Sequence, residues 1–111
     1  MTAPASTDLI LSLDVGTQSA RAALVDLRGE ILQIVKTPAE PYFSEKPGWA
    51  EQRPDYYWQV VCESSRRLLA NTGPLAARIA AVTLTTQRGT YINVDRDGTA
   101  LRPAIVWLDQ R

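Results

Sequence analysis

The amino-acid sequence predicts an α/β fold in which a mixed sheet combines an antiparallel three-strand meander with one parallel strand. Three observations support this prediction: a run that alternates apolar and polar residues, two further strand-like runs after short turns, and a later stretch whose apolar residues follow helical spacing. A fourth strand-like run follows the helix. Because the helix crosses from the meander to this run, the connection is expected to be right-handed and the fourth strand parallel.

The first three strands are predicted from alternation and from the short links between them. In residues 8–15, alternate positions share one apolar face: Leu9, Leu11, Leu13 and Val15. Asp14 points to the opposite face, close to the end of this strand. The second strand is predicted over residues 20–26 and the third over residues 31–36, separated by the tight turn of residues 26–30. Links this short favour antiparallel pairing.

The middle of the chain is predicted to change from an irregular crossover to a helix. Residues 37–54 contain four prolines and are expected to be ordered but not regular. The helix is expected to begin at Pro54, which suits a first helical turn, and to end at the NTGP stretch of residues 71–74. Helical spacing predicts a packing face formed by these residues: Tyr57, Trp58, Val61, Cys62, Leu68 and Leu69.

The last part of the chain is predicted to add a fourth strand and a hairpin-like extension. Residues 79–86 form the fourth strand. Residues 91–94 and 104–107 are expected to form two more strands, with the DRDG sequence of residues 95–98 as a turn. The whole chain, residues 1–111, is long enough for one domain with a modest core.

The composition excludes several classes of function. Lys+Arg and Asp+Glu are equal at 12 each, so no net charge draws the chain to nucleic acid or to an anionic membrane. The absence of His excludes His-dependent triads and His-ligated metals and leaves oxygen ligands, which suit Mg²⁺. Cys62 is the only cysteine, so no internal disulfide can form. No segment resembles a signal peptide or a membrane span, and a cytoplasmic location is expected.

The turn after the first strand is the strongest candidate for a ligand-binding site. Asp14 comes near the end of an apolar strand and is followed by Gly16, Thr17 and Ser19. Backbone N–H groups and hydroxyls in such a turn can hold a phosphate, with Gly16 allowing close approach and a positive φ. Asp14 could hold a Mg²⁺-bound water, and Arg21 could bind phosphate or pair with a carboxylate. The alternative is a plain hairpin turn whose side chains cap local N–H groups.

Three stretches of the chain, taken together, resemble the amino-terminal part of the FGGY carbohydrate kinases, which include kinases of glycerol, xylulose and ribulose. They are LDVGTQSARAALVD, PGWAEQRPDYYW and TLTTQRGTYINVDRDGTALRPAIVWLDQR, in the family's order and spacing. The resemblance extends from about Leu9 to Arg111. It implies a ribonuclease-H-like, actin-like ATPase fold, in which two related domains close on ATP, Mg²⁺ and a sugar or polyol.

The resemblance also implies which residues form the site. The phosphate-facing turn that binds ATP and Mg²⁺ corresponds to Asp14, Gly16, Thr17, Gln18, Ser19 and Arg21. Asp14 would hold the Mg²⁺ through a water molecule. The substrate-binding residues correspond to Gln87, Arg88, Trp107 and Asp109. Arg88 offers several fixed donors to hydroxyl oxygens, Trp107 a flat apolar face for the C–H side of a polyol, and Asp109 an acceptor.

Each substrate-side assignment has a structural alternative. Gln87 and Arg88 could form an exposed turn between strands, and Trp107 could belong to the core. Asp109 could instead form a local ion pair with Arg111. A further diagnostic stretch is expected to be structural and to anchor the crossover before the helix: Trp49, Glu51 and Gln52.

Two departures from the family pattern limit what the resemblance implies. Glycerol-kinase-like members carry an acid after the Arg of the strand-four loop, where this chain has Gly89, so one hydroxyl-reading side chain is absent. The family's catalytic aspartate and most of its adenine pocket lie further along the sequence than Arg111. The chain is therefore expected to be a fragment of the first actin-like domain, without a catalytic residue or activity of its own. It is also expected to self-associate through surfaces exposed by truncation.

Two other classes share parts of this pattern. A ribonuclease-H-type nuclease has the same three-strand opening but needs several carboxylates around two metal ions, and the end of the fourth strand, TLTTQRG, supplies none. A non-catalytic actin-like nucleotide-binding or assembly module would share the turn but would not need Arg88 and Trp107 beside a sugar. Polyol binding without nucleotide would distinguish the kinase from this module.

Overall fold

The computed structural model describes residues 6–111, which form a four-stranded sheet, a two-stranded sheet and an α-helix. In chain order the elements are strands β1 (Leu9–Val15), β2 (Ser19–Asp26), β3 (Ile31–Pro38) and β4 (Glu51–Gln52), helix α1 (Pro54–Ala70), a 3₁₀ helix (Gly73–Arg78), and strands β5 (Ile79–Thr85) and β6 (Ala104–Ile105). The large sheet has the strand order β3-β2-β1-β5. β1, β2 and β3 are antiparallel, and β5 pairs with β1 in parallel. The predicted meander, crossover helix and parallel fourth strand are therefore confirmed.

The main core lies where β1 and β2 face α1. Side chains of β1 alternate between buried and partly exposed, as the sequence predicts. Leu11 of β1 stands opposite Leu24 of β2 in the register of the sheet. The buried residues of this cluster are Leu9, Leu11, Leu13, Ala22, Leu24 and Leu68. Burying a leucine side chain contributes roughly 1.5–3 kcal/mol, so this cluster fixes α1 over the sheet.

The packing face of α1 differs from the predicted one. Its buried residues are Tyr56, Val60, Ser64 and Leu68. Of the predicted face, Leu68 is fully buried, and Tyr57 and Val61 are partly buried against the core. Trp58 and Leu69, however, are 71% and 39% exposed. A count of apolar residues misses this face because two of its four members carry a hydroxyl group. Among the described residues, no helix has the length and apolar character needed to cross a bilayer.

Two hydrogen-bonded contacts explain the orientation of α1. The Tyr56 hydroxyl donates to the carbonyl of Pro38 at 3.2 Å and accepts from the backbone N–H of Glu40 at 2.7 Å. Ser64 Oγ donates to Thr37 Oγ1 at 2.8 Å in the interior. Because buried polar groups need hydrogen-bond partners, these contacts turn this line of the helix toward β3 and the start of the crossover.

The hairpin-like extension is present in a reduced form. β6 has only two residues and pairs with β4, which lies in the stretch predicted to be irregular. Tyr91 forms an isolated bridge to Ile105, and Val94 forms one to Ala100, instead of two full strands. Ile105 of β6 thus has two partners, Glu51 of β4 and Tyr91 of the extension. This pairing holds the end of the chain against the crossover.

The buried face of α1 can be tested with two neighbouring leucines. Leu68→Ala removes a fully buried side chain and leaves a cavity, so we expect the free energy of unfolding to fall by about 2–5 kcal/mol. Leu69→Ala is the matched control, because its side chain is partly exposed; we expect a loss below about 1 kcal/mol. Urea denaturation followed by circular dichroism gives both values. Equal losses in the two variants would contradict the observed face.

Candidate functional site

The link between β1 and β2 is a tight turn closed by a backbone hydrogen bond. The N–H of Gly16 donates to the carbonyl of Ser19 at 2.9 Å. A Cβ at position 16 would lie 3.1 Å from the same oxygen, so any other residue would displace the neighbouring backbone. The predicted positive φ at Gly16 is wrong, since the glycines with positive φ are at other positions. Close approach of the backbone, rather than a left-handed conformation, requires glycine here.

Asp14 lies beside this turn and faces out of the sheet. It stands opposite Arg21 in the β1–β2 register, and Arg21 Nη1 lies 3.5 Å from Asp14 Oδ2. The side chains are 48% exposed for Asp14 and 44% exposed for Arg21. Such exposed ion pairs add only about 0–1 kcal/mol to stability, so a ligand can replace either partner at little cost to the fold.

The buried amide of Gln52 ties the turn to the crossover and to α1. Gln52 is 2% exposed, and its Nε2 donates to the carbonyls of Thr17 at 3.3 Å and Glu40 at 2.9 Å. Its Oε1 accepts from the Tyr57 hydroxyl at 2.7 Å. The sequence predicts a structural role for Gln52, which fits these contacts. The contact with the turn had no signal in the sequence, because it joins positions far apart in the chain.

Trp107 contacts the same turn through its indole nitrogen. Nε1 donates to Thr17 Oγ1 at 2.8 Å, although the residue is 55% exposed. Trp107 is therefore not part of the core. It lines an open concavity of about 580 Å³ together with the turn from Gly16 to Ser19 and the side chain of Arg21. The turn from Gly16 to Ser19, Arg21 and the substrate-side candidate Trp107 thus border one space.

Arg88 and Trp107 line a second concavity, together with Gly89. Gly89 has a φ of 74°, in the left-handed region that favours glycine, and a Cβ there would lie 3.7 Å from Trp107 Cβ. Gln87 lies elsewhere: it lines an apolar groove between α1 and β5 and accepts a hydrogen bond from Thr90 Oγ1 at 2.8 Å. The structure therefore brings Arg88 and Trp107 together and separates Gln87 from them.

The carboxylate of Asp109 is buried and fully engaged. It accepts from the backbone N–H of Ala50 at 2.7 Å and from Nε and Nη2 of Arg111 at 2.8 and 2.6 Å, and its side chain is 2% exposed. The hydrogen bonds from Arg111 hold the pKa of Asp109 well below its usual range. The Arg111 guanidinium also lies 3.7 Å from the ring centre of Trp49. The Asp109 carboxylate is thus not free to accept a hydrogen bond from a substrate hydroxyl. Its contacts match the alternative of a local ion pair with Arg111.

Comparison with known proteins identifies a class of carbohydrate-phosphorylating enzymes. Residues 9–111 match the family model described as the FGGY family of carbohydrate kinases, N-terminal domain. The matched region covers almost the entire chain. The chain belongs to the FGGY family of carbohydrate kinases.

Individual relatives agree with this family membership. A glycerol kinase from Burkholderia cenocepacia (strain HI2424) is 39% identical over 103 residues, covering 92% of this chain and 20% of that protein. The crystal structure of a xylulose kinase from Rhodospirillum rubrum matches with a TM-score of 0.85 and 29% identity, covering 93% and 21% of the two chains. A Plasmodium falciparum glycerol kinase crystallised with ADP matches with a TM-score of 0.69 and 32% identity, covering 94% and 21%. The chain therefore spans about a fifth of the length of these relatives.

The depressed pKa of Asp109 predicts a pH-dependent contribution to stability. A carboxyl whose pKa is lower in the folded than in the unfolded chain stabilises the fold above its unfolded pKa, and this stabilisation is lost as the pH falls through the folded pKa. We expect the urea midpoint of the native chain to fall as the pH drops below about 4. In Asp109→Asn the fall should be smaller, and the midpoint at pH 7 should be lower.

Asp97→Asn is the matched control for this prediction, because Asp97 is exposed in the DRDG turn. It should leave both the midpoint at pH 7 and the acid dependence close to those of the native chain. If Asp109→Asn and the native chain lose stability in parallel from pH 7 to pH 2, the assignment of the acid-sensitive contact to Asp109 is wrong.

Proposed function

We propose that residues 1–111 form the amino-terminal part of an ATP-dependent sugar or polyol kinase, which transfers the γ-phosphate of ATP to a carbohydrate hydroxyl. Family membership supports the kinase class. The observation that carries the proposal is the hydrogen bond from Trp107 to Thr17, because it joins a ring suited to a polyol to a turn suited to phosphate. Phosphoryl transfer requires both partners side by side.

We assign the phosphates of ATP to the concavity beside the β1–β2 turn. The assigned residues are Asp14, Gly16, Thr17, Gln18, Ser19 and Arg21. All except Asp14 line that concavity, and Asp14 pairs with Arg21. Backbone N–H groups of the turn and the Thr17 hydroxyl can donate to phosphate oxygens, while Arg21 adds positive charge. The ADP in the crystallised plasmodial relative supports nucleotide binding within the family.

The residues beside the turn fit a Mg²⁺ ion that arrives with ATP. Within residues 6–111 no group of three or more His, Cys, Asp or Glu side chains is arranged to hold a metal ion. Mg²⁺ usually keeps several waters and takes one or two carboxylates plus phosphate oxygens. Asp14, half-exposed next to the turn, can supply one such carboxylate through a water. When bound, Mg²⁺ would offset the negative charge of the phosphates.

We assign the sugar or polyol to the concavity lined by Arg88 and Trp107. The guanidinium of Arg88 offers a fixed set of donors to hydroxyl oxygens, and the exposed indole offers an apolar surface to C–H groups. Gly89 contributes no side chain where glycerol-kinase-like members carry an acid, which leaves room beside Trp107 for a substrate bulkier than glycerol. Gln87 is outside this proposed site. Asp109 lines the concavity, but its carboxylate is already engaged by Arg111 and the backbone of Ala50.

The general base of the proposed reaction is assigned to no residue of this chain. Of the carboxylates considered for the site, Asp14 is paired with Arg21, and Asp109 is buried and engaged by Arg111 and Ala50. The resemblance to the FGGY family implies that an aspartate further along the sequence than Arg111 takes this role. The chain alone should therefore bind ligands without turning them over.

The first test of this proposal is enzymatic activity of the 111-residue chain. With ATP, Mg²⁺ and a panel of sugars and polyols, we expect no substrate-dependent release of ADP above controls without protein, because the base is missing. A coupled ADP assay measures this directly. Turnover above the control with any member of the panel would contradict the assignment of the base outside this chain.

The second test is nucleotide binding. Titration with MgATP, followed by ¹⁵N–¹H NMR, should shift the backbone amide signals of residues 16–19. Asp14→Asn should weaken the binding of MgATP by removing the carboxylate, whereas Asp8→Asn, an exposed acid just before β1, should leave it unchanged. Shifts confined to other regions would overturn the assignment. Binding of nucleotide without binding of any polyol would favour the non-catalytic actin-like module.

The free edge of the large sheet supports a further proposal, that two or more copies of this chain self-associate. Within residues 6–111, β5 has a neighbouring strand on one side only, and Val82 and Leu84 are 61% and 58% exposed. Uncharged exposed edges favour pairing with another strand. We expect a dimer or larger species in sedimentation experiments at micromolar concentration, and dissociation on Val82→Lys. Leu101→Lys, on the extension, is the control. A single 12.3 kDa species in the native chain would refute self-association.

A further inference from the structure

Trp107 separates two concavities that the proposed function assigns to different ligands. Among the residues that the structure describes, it is the only one that lines both of them. On one side it meets the β1–β2 turn, and on the other it meets Arg88 and Gly89. The residue is 55% exposed, so ligands on both sides can reach the indole.

The hydrogen bond between Trp107 and Thr17 orients the Thr17 hydroxyl. An indole N–H can only donate, so at 2.8 Å the Thr17 oxygen must be the acceptor. The hydroxyl keeps its own proton, which is then directed away from the indole and is available to another acceptor. The backbone of Thr17 is held independently, because its carbonyl accepts from the buried amide of Gln52. The indole therefore determines the orientation of the hydroxyl without having to hold the turn.

We propose that Trp107 is a positioning residue that couples the two concavities. A polyhydroxy compound packed against the indole restrains the ring, and the restrained N–H keeps the Thr17 hydroxyl oriented to donate to a phosphate oxygen. The coupling rests on the proposed function of the two concavities. Because coupling free energies are reciprocal, a polyol must raise the affinity for ATP by the same factor by which ATP raises the affinity for the polyol.

Calorimetry with two probes measures this coupling. MgATP is titrated into the 111-residue chain with and without saturating glycerol, and the series is repeated with xylulose. We expect the Kd for MgATP to fall by about five-fold or more when the polyol is present, at the lower end of measured couplings. Trp107→Phe keeps an aromatic face but has no N–H donor, so each ligand should still bind while the ratio of the two Kd values approaches one.

Three further variants separate positioning from a purely structural effect. Trp58→Phe makes the same change at an exposed indole on α1 and should keep the native ratio. Thr17→Val removes the hydroxyl and should abolish the coupling, whereas Thr17→Ser restores a hydroxyl at the same position and should recover it. These Thr17 variants also test the proposal if Trp107→Phe fails to fold.

The possible outcomes distinguish failure of the coupling from failure of the proposed function on which it rests. A native ratio in Trp107→Phe, or a ratio of one in the native chain when both ligands bind, would overturn the coupling and leave the proposed function standing. If the native chain binds neither MgATP nor a polyol, the proposed function fails and the inference falls with it. A ratio of Kd values near one in Trp107→Phe and Thr17→Val, with the native ratio recovered in Thr17→Ser, would support the coupling.

Discussion

Thr17 is held by two hydrogen bonds of different origin, and the geometry of the candidate site depends on both. The buried amide of Gln52 holds its carbonyl, and the indole of Trp107 holds its hydroxyl. These partners come from the crossover and from the end of the chain, so a turn of a few residues is fixed by segments distant in sequence. Because the Gln52 amide is buried, loss of one of its partners would leave a polar group unsatisfied, which costs about 1–3 kcal/mol.

The segment that carries Trp107 is secured in turn by a polar cluster behind it. Asp109 binds Arg111 and the backbone of Ala50, and Arg111 stacks on Trp49. Glu51, 3% exposed, lies within 3.5 Å of the same Arg111 side chain. Together with the pairing of β4 and β6, these contacts join the end of the chain to the crossover. Asp109, which the sequence suggested as a substrate-binding acid, thus supports the segment whose Trp107 ring we assign to the sugar or polyol.

Local patterns predicted most of the fold but not the contacts between distant segments. Alternation, short turns and a proline at the start of the helix were sufficient for β1, β2, β3, α1 and β5, because these elements depend on neighbouring residues. The buried face of α1 was predicted only in part, since the Tyr56 hydroxyl enters the interior to donate to the carbonyl of Pro38, and that of Ser64 to donate to Thr37 Oγ1. The same limit applies to the site. Arg88 and Trp107 line one concavity, whereas the engagement of the Asp109 carboxylate involves the backbone of Ala50, which no local pattern connects to it.

The parallel pairing of β1 with β5 has a consequence for the order in which the chain folds. Its register joins Leu9 with Ile79, so the crossover and α1 must close into a long loop before this pairing can form. The meander needs only the short links between consecutive strands. Contacts between nearby residues form sooner than contacts across long loops, so the β1–β2 turn is expected to exist before the elements that hold it in place. The β1–β2 turn, to which we assign the phosphates, would then act as the template on which the concavity of Arg88 and Trp107 assembles.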